Sequence, residues 1–518
     1  MPRSQATDTV PPPEPRVIFV PGGSAVPTVA SMSNLVVTQT GLERFWLRPG
    51  TGASTTALGG AVTAGLVAAA LVPGNSPGLG LALAAAAVGA VALPGLLRRR
   101  RYVDTGGVVV AVALIGVVAV RDAPWVVLLC GLAAVAVGAV ALTGARSWVA
   151  VALSGAASVL GGARSLPWAG RGAVVVTARG SRLWPLVRAV TAAAVLLIVF
   201  GMLFASADVV FAGLLPEVDL ALVGVRAMTL VLGAAAALAV TYVAARRPEW
   251  GVLRMPSGRP ARRVEWLVPL LALDVLVVAF VVVQVSAALG GHRHLLAAAG
   301  LTYAEYAREG FWQLVVATIL VLLMIAVGVR YAPRATRRDR AATSATLAVL
   351  VVATLGVVVS AVRRMDLYVD AYGLTRLRLW VLAVEIFLGL VLVAVLVAGV
   401  RWRGGWLPRA VTAAGAVTML CLAGLNPDAL IARVNTERHA AGADIDLAYL
   451  RGLSADAVVA LDALPEPLRS CALRGSGGLD DGTDGWGSWN LSRSRAEAAL
   501  AARPLVTGSC PESGTMPG

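Results

Sequence analysis

Long apolar stretches with almost no charge recur along this chain and restrict what it can fold into. Hydrophobic residues make up 58% of the sequence and charged residues only 14%, whereas soluble domains carry about 25% charged residues. An uncharged apolar run of about 18 or more residues is long enough to cross a bilayer as a helix. An open strand in lipid would leave backbone groups unpaired. The sequence therefore predicts an all-α fold, a polytopic transmembrane helical bundle.

The apolar runs predict about eleven spans, each near the length needed to cross roughly 30 Å of hydrocarbon. The predicted spans are 55–73, 77–97, 106–120, 123–143, 188–207, 219–244, 265–289, 311–331, 343–362, 379–400 and 407–425. One more apolar segment, 147–161, is short and has arginines on both sides. We predict that this segment forms an interfacial or half-inserted helix, because a full span there would invert every later loop.

Arginines alternate between successive predicted loops and thereby indicate the orientation. Loops such as 98–101 and 330–340 are rich in arginine, and the intervening loops hold fewer, although the segment 363–380 is an exception with four. Basic residues beside spans are retained on the cytoplasmic side. We therefore expect a multi-pass protein of the cytoplasmic (inner) membrane with its N-terminus in the cytoplasm and its C-terminus outside.

The same arginines account for the formal net charge of +15. They flank apolar runs instead of forming a separate basic face, so we expect the lipid bilayer as the partner and no nucleic acid.

The predicted topology divides the chain into three parts. Residues 1–53 begin with a proline-interrupted, non-apolar stretch that does not form a signal peptide, and we expect a disordered cytoplasmic tail. Residues 54–425 form the transmembrane bundle. Residues 426–518 turn polar and contain helix-start signals, so we expect a small α-helical extracytoplasmic region.

Three charged side chains are predicted to lie deep in the membrane: Arg226, Asp274 and Glu385. A charge at this depth costs about 2.5–3.5 kcal/mol or more, so such residues usually face protein or water and are paired. We expect Arg226 to pair with Asp274 or Glu385. The pair would form either a polar site for a proton, an ion or a headgroup, or a purely structural ion pair.

The predicted outer segment 363–380 carries an unusual set of polar residues. Its candidates for an outer-face site are Arg363, Arg364, Asp366, Tyr368, Asp370, Tyr372, Gly373, Arg376 and Arg378. One interpretation is a site where arginines hold an anionic lipid headgroup beside the tyrosines. The other is an interfacial helix with aromatic anchors and internal Asp–Arg pairs, followed by a helix stop at Gly373 and a new start.

The predicted outer loop 290–311 adds Tyr303 and Glu305 to the candidate outer-face site. Its His292 and His294 are a weak metal signal, because no carboxylate or cysteine stands at ligand spacing. No nucleotide, dinucleotide, hydrolase or metalloprotease motif occurs in usable context. We therefore expect no metal, no cofactor and no catalytic residue.

Two of the four cysteines, Cys471 and Cys510, lie in the polar C-terminal region. An extracytoplasmic compartment is oxidising and permits a disulfide between them. This prediction depends on the predicted orientation.

Four stretches together resemble a known family: GMLFASADVVFAGLLP, GLTYAEYAREGFWQL, RRMDLYVDAYGLTRLRLW and NPDALIARVNTERH. The family comprises actinobacterial multi-pass membrane proteins that carry a domain of unknown function, numbered 4173 and related to 4153. The resemblance covers roughly residues 180–470 and implies a helical membrane fold. It implies no activity, substrate or catalytic residue.

Three classes of function are compatible with these patterns. The leading interpretation is a cell-envelope binding or scaffold protein that engages a lipid or protein partner at the outer face. The second is a secondary transporter or channel that uses Arg226, Asp274 and Glu385. The third is a membrane-embedded enzyme acting on a lipid-linked substrate, with Asp366, Asp370 or Glu305 as acid or base.

Overall fold

The computed structural model describes most of the chain as helices. The described residues are 45–46, 51–98, 100–178, 183–208, 219–253, 262–289, 311–331, 336–401, 404–474, 485–507 and 510. Within these ranges no residue belongs to a β-strand. Ten of the described helices are long and apolar enough to cross a membrane. The predicted all-α polytopic bundle is thus confirmed.

The helices are numbered here in chain order. The bundle contains α1 (Thr55–Leu71), α2 (Leu79–Arg98), α3 (Tyr102–Gly116), α4 (Pro124–Thr143), α5 (Trp148–Ala178), α6 (Leu183–Ala207), α7 (Leu220–Ala245), α8 (Arg263–Leu289), α9 (Phe311–Tyr331), α10 (Arg337–Tyr372), α11 (Arg376–Arg401) and α12 (Leu407–Leu425). The C-terminal region contains α13 (Pro427–Ala440), α14 (Leu447–Arg451), α15 (Val458–Leu461), α16 (Leu468–Leu473) and α17 (Leu491–Ala502).

Side chains that bind the free backbone N–H groups start several of these helices. Ser54 accepts from the backbone of Ala57 at the start of α1, and Asp219 accepts from two amides at the start of α7. Before α10, Thr336 and Asp339 form a capping box in which each side chain accepts from the other's backbone N–H. Such caps satisfy donors that the first helical turn leaves without a partner.

The C-terminal region lies on one end of the bundle, here named the domain end. The backbone N–H of Leu79 donates to the carbonyl of Trp489 over 2.9 Å, so the turn between α1 and α2 is at this end. The backbone amides of Asp122 and Ala123, between α3 and α4, donate to Asp456. The other end, named the opposite end, holds residues 98, 100–104, 143–147, 244–250 and 404–409.

Helix α5 lies across the opposite end. Ala150 packs beside Ala145 near the start of α5, and a Cβ added to Gly161 at its middle would meet the side chain of Val243. Further along, the carbonyl of Trp168 accepts from Ala53, just before α1 begins. Since all three contacts are at the same end, α5 does not cross to the domain end, although its length and composition would allow a span. These contacts support the interfacial helix predicted at 147–161.

The predicted disordered tail needs a correction at its end. Trp46 is 1% exposed, and its indole N–H donates to the carbonyl of Arg246 over 2.7 Å. Arg164 donates to the carbonyl of Trp46 and lies 5.9 Å from the centre of its ring. The segment around Trp46 is therefore part of the bundle, because an aromatic side chain and its indole N–H both find partners there. Residues 1–44 and 47–50 lie outside the described residues.

Small residues allow α1 and α7 to pack closely. A Cβ added to Gly65 would lie 2.5 Å from the carbonyl oxygen of Leu230, and one added to Gly233 would lie 2.9 Å from the Cβ of Ala68. Membrane helices gain van der Waals contact when small residues let their backbones approach. Gly65 and Gly233 therefore set the distance between these two helices.

Replacing Gly65 with Ala should destabilise the bundle by about 1–3 kcal/mol, the usual cost of overpacking. The measurement is thermal unfolding of the purified protein in detergent. Gly59→Ala on the same helix is the matched control, because a Cβ at Gly59 meets nothing within 4 Å. Equal midpoints for the two variants would contradict this account of the α1–α7 contact.

Candidate functional site

Arg376, one of the predicted outer-face residues, lies at the start of α11. Its guanidinium donates to both carboxylate oxygens of Asp428, with distances of 3.0 Å from Nε and 2.5 Å from Nη2. The backbone N–H of Arg376 donates to the hydroxyl of Tyr449 over 2.7 Å. Such two-pronged Arg–carboxylate pairs are among the stronger polar contacts in proteins. Arg376 thus joins α11 to the C-terminal region.

Asp428 is completely buried and accepts two further hydrogen bonds. The indole N–H of Trp125 on α4 donates over 3.1 Å, and the backbone N–H of Ser454 donates over 3.0 Å. Burial by itself raises the pKa of Asp428, but the hydrogen bonds from Arg376 and Ser454 outweigh it and hold this pKa below its usual value. An ionised carboxylate therefore lies where α4, α11 and the C-terminal region meet.

Asp456 forms a second junction. Its Oδ2 accepts from the backbone amides of Asp122 and Ala123 over 2.8 and 2.7 Å, and from the Ser454 hydroxyl over 3.1 Å. Its Oδ1 accepts from the hydroxyl of Ser492 at the start of α17. A buried carboxylate with this many donors is held in one position. Asp456 therefore ties the α3–α4 turn to two segments of the C-terminal region.

Asp122 extends this junction to the turn between α1 and α2. It accepts from the guanidinium of Arg493 over 2.9 Å and from the backbone of Ala455 over 3.2 Å. Arg493 also donates to the carbonyl of Pro77 over 3.1 Å. Asp122, Asp428 and Asp456 with their donors are named here the aspartate network. It attaches the C-terminal region to three turns of the bundle.

Inside the C-terminal region, the side chain of Arg469 is fully buried. It donates to Asp462 over 2.7 Å, to Glu466 over 3.1 Å and to two carbonyls of the segment after α17. Cys471 and Cys510, the pair predicted from the sequence, are joined by a disulfide. These contacts link the short helices α15 and α16 to the chain that follows α17.

The predicted helix stop and restart around Gly373 are observed. α10 ends at Tyr372, Gly373 has φ +80°, and α11 begins at Arg376. The guanidinium of Arg378 lies 4.1 Å from the centre of the Tyr368 ring and donates to the carbonyl of Tyr372 over 3.0 Å. Arg378 thus satisfies a carbonyl group at the C-terminal end of α10, and its positive charge lies over the face of the Tyr368 ring.

The segment 363–372 differs from the separate interfacial helix considered from the sequence, because it continues α10. That helix has 36 residues and is about 54 Å long at 1.5 Å per residue, so it extends beyond the hydrocarbon layer. Arg363, Asp366 and Asp370 are exposed on it, and Arg364 is half-buried.

The structure does not gather the candidate outer-face residues into one anion site. Arg376 and Arg378 have partners within the protein, whereas Asp366 and Asp370 face away from the aspartate network into solvent. Tyr303, Glu305, His292 and His294 lie outside the described residues. Of the two interpretations, the structural one with internal Asp–Arg pairing is closer to what the described residues show, although the pairing aspartate is Asp428.

The predicted ion pair of Arg226 with Asp274 or Glu385 is not formed. Arg226 is exposed on α7, which packs against α1, α2, α4 and α5. Asp274 on α8 and Glu385 on α11 are buried, and both helices pack against α10. The prediction was wrong because similar depth along separate helices does not place side chains beside each other.

A further charge cluster at the opposite end was missed by the sequence analysis. Asp104 on α3 accepts from Arg247 and, over 3.0 Å, from Arg409, which in turn donates to the carbonyl of Ala145 over 2.7 Å. Asp104 is a lone carboxylate just after the arginine run that ends at Arg101. That position was the available signal, but the arginines that pair with it come from distant loops.

Two apolar cavities open beside Trp148 at the start of α5. The first, of about 690 Å³, lies between α9, α10 and α11, and the second, of about 500 Å³, lies between α4, α11 and α12. Within the described ranges of the chain, no charged side chain lines either cavity. Among the described residues, no group of three or more His, Cys, Asp or Glu side chains is placed to hold a metal ion. The cavities fit acyl chains better than polar solutes.

A family model described as a domain of unknown function (DUF4153) matches residues 109–464, more than half of the chain. The chain belongs to this family. Within the DUF4153 match lie Asp122, Arg376, Asp428 and Asp456, whereas Asp104 and Arg493 lie outside it. The matched range begins about 70 residues before the range of roughly 180–470 over which the sequence resembled the family. The resemblance to the related family numbered 4173 stays a prediction. No curated protein and no solved structure matches the chain.

Replacing Asp428 with Asn should destabilise attachment of the C-terminal region by roughly 3–5 kcal/mol, the range for breaking a buried pair on one side. The expected sign is a lower unfolding temperature in detergent and faster proteolysis between Asn426 and Arg474. Asp366→Asn is the control, since Asp366 is an exposed carboxylate at the same end. Equal protease resistance of the two variants would count against the aspartate network.

The lowered pKa of Asp428 also predicts how attachment depends on pH. Its stabilisation is fully present above the pKa of an unfolded Asp, about 3.9, and is lost as the pH falls through the lower folded value. Protection of residues 426–474 from an acid-stable protease should therefore be constant from neutral pH down to about pH 4 and should fall only below it. Detachment near pH 6 would contradict an ionised, hydrogen-bonded Asp428.

Proposed function

We propose that this DUF4153 protein is a scaffold of the cell envelope. In this proposal the bundle lies in the cytoplasmic membrane and presents the C-terminal region at the outer face to a lipid headgroup or protein partner. The observation that carries it is the aspartate network, in which buried carboxylates bind the C-terminal region to turns of the bundle. The carboxylates and arginines that a reactive site would need bind each other in this network and hold the C-terminal region in place.

A shared apolar core supports a rigidly held region. One cluster contains residues from both parts, including Leu379 on α11, Leu422 on α12, and Ile431 and Leu461 in the C-terminal region. Trp125 and Trp380 pack against this cluster. Because the core is continuous across the junction, movement of the C-terminal region would expose buried apolar surface. A rigid surface suits a binding role, since little freedom is lost on binding.

The surface available to a partner contains two tryptophans. Trp486 is 64% exposed and Trp489 is 46% exposed, and the backbone of Trp489 accepts from the first residue of α2. Tryptophan is enriched where membrane helices meet the headgroup layer. We assign Trp486 and Trp489 to contact with lipid headgroups or with a partner at that level.

The distribution of arginines supports the proposed orientation. The opposite end carries Arg98, Arg100, Arg101, Arg246 and Arg247, together with Arg409. Cytoplasmic loops carry such an excess of basic residues. The disulfide between Cys471 and Cys510 fits an oxidising compartment at the domain end.

A secondary transporter remains the second candidate function, because Asp274 and Glu385 are buried in the bundle.

A membrane-embedded enzyme, the third candidate, would need a carboxylate and arginines that converge at the outer leaflet. Among the described residues, Asp366 and Asp370 are exposed and Arg376 is bound to Asp428. The geometry therefore favours the scaffold over the enzyme.

Site-specific photo-crosslinking in intact cells tests the scaffold. A photoreactive phenylalanine in place of Trp489 should give one discrete adduct with an outer-leaflet lipid or an extracytoplasmic protein. The same residue at Leu97, which is exposed at the opposite end, should not give that adduct. Asp456→Asn, which loosens the aspartate network, should reduce it.

Two results would contradict the proposal. An adduct between position 489 and a cytoplasmic protein would reverse the orientation. A discrete adduct that persists unchanged in Asp456→Asn would show that the aspartate network is not needed for presentation.

A further inference from the structure

The part of the bundle formed by α8, α9, α10 and α11 contains two buried carboxyl groups that the scaffold does not use. Glu385 is 1% exposed and Asp274 is 5% exposed. Neither oxygen of Glu385 has a hydrogen-bond partner among the described residues, and Oδ1 of Asp274 has none there either. Buried polar atoms are nearly always paired, so unpaired ones point to a missing ligand.

These side chains lie near the level where two apolar clusters meet. The cluster nearer the opposite end contains Trp266, Leu270, Val321, Ile325, Leu347, Leu350, Val351, Val358 and Leu392. The cluster nearer the domain end contains Leu314, Val315, Val357, Ala361, Met365, Val381 and Leu388. Asp274 is three residues before Val277, which packs against both clusters, and Glu385 is three residues before Leu388. Both carboxyl groups are therefore within about two helical turns of this level.

Two buried threonines lie at the same level on the other two helices. Thr318 on α9 follows Leu314 and precedes Val321, and Thr354 on α10 follows Leu350 and precedes Val357. Both are 1% exposed. Each hydroxyl donates to a carbonyl of its own helix, Leu314 and Leu350 respectively, which leaves its oxygen free to accept. All four helices thus contribute one polar side chain to an otherwise apolar core.

No other titratable group is near this level on these helices. In the segments 266–289, 313–329, 341–362 and 379–400, the titratable residues are Asp274 and Glu385 alone. The charged and titratable residues at the ends of these helices and on the adjacent α12 are Arg263, Glu265, Arg330, Tyr331, Arg337, Arg338, Asp339, Arg340, Arg363, Arg364, Asp366, Tyr368, Asp370, Tyr372, Arg376, Arg378, Arg401, Arg409 and Cys421. Among these residues, Arg376 pairs with Asp428 and Arg409 pairs with Asp104, and neither carboxylate lies on α8 to α11.

The physical consequence concerns the charge of the two groups. An unpaired carboxylate in an apolar interior is strongly disfavoured, and such a group takes up a proton instead. The proton is thus the smallest ligand that removes the charge of each carboxyl group.

We propose that the bundle has a proton-binding site at Glu385 on α11, and that Asp274 on α8 is a second proton-binding group. Each carboxylate takes one proton from water and becomes a neutral carboxylic acid, and it returns the proton to water when it ionises. Glu385 is the principal group, since both of its oxygens are unpaired. This site is independent of the aspartate network and of the scaffold role, because it lies within the core of α8 to α11.

The full chain in lipid nanodiscs provides the test. N,N′-dicyclohexylcarbodiimide is an apolar reagent that adds to protonated carboxylic acids, and peptide mass spectrometry locates the adduct. We expect labelling of the Glu385 peptide at neutral pH, with progressive loss of labelling as the pH is raised. Glu385→Gln should abolish this label, and Asp366→Asn, which alters an exposed carboxylate, should leave it unchanged.

Infrared absorption by the C=O group of a protonated carboxylic acid gives a second measurement that needs no reagent access. We expect this absorption in the wild type at neutral pH, its reduction in Glu385→Gln, and its loss in Glu385→Gln combined with Asp274→Asn. Absence of the absorption from the wild type would overturn the proposal. The proposal would also be overturned if sodium, but not choline, protected Glu385 from labelling, because Glu385 would then bind a metal cation.

Discussion

Buried carboxylates that accept several hydrogen bonds at once hold the C-terminal region on the bundle. Asp428 binds Arg376, Trp125 and the backbone of Ser454, and Asp456 binds two backbone amides and two hydroxyls. Away from water, each of these groups would be costly to leave unpaired. The turns between α1 and α2, between α3 and α4, and between α10 and α11 therefore converge on the aspartate network. The position of the shared apolar core depends on this convergence.

The opposite end also has a carboxylate that accepts from arginines. There a single carboxylate, Asp104, receives two arginines from loops distant in sequence. The long helix α5 and the segment around Trp46 lie across this end and cover the ends of α1 and α7. Excess arginine remains in this layer, as expected for the cytoplasmic side of a membrane protein.

Much of the architecture could be predicted from the sequence. Apolar runs gave the spanning helices, because lipid restricts the backbone to helices at those positions. Arginine alternation and the short length of 147–161 predicted an interfacial or half-inserted helix there, and the contacts of α5 agree with that prediction although the helix continues to Ala178. The stop at Gly373 and the restart near Arg376 were also predicted, because a residue with positive φ leaves a recognisable local signal.

The partners of individual charges could not be predicted, because they depend on which helices lie side by side. Arg226 and Glu385 have similar predicted depths, yet their helices pack against different neighbours. Arg376 was a candidate either for binding a lipid headgroup or for pairing with an aspartate of its own segment, and it binds Asp428, which is distant in sequence. The aspartate network joins residues separated by more than 300 positions, and a single sequence carries no signal for such pairs.

Hydrogen exchange of the full chain in lipid nanodiscs tests the central claim most directly. If the C-terminal region is one unit with the bundle, the backbone amides of α15 and α16 will exchange as slowly as those of α4 and α11, because they open only together. In Asp456→Asn, exchange in α15 and α16 should accelerate while α4 and α11 stay protected. Fast exchange of α15 and α16 in the wild type, with the bundle still protected, would show that the region is an independent appendage.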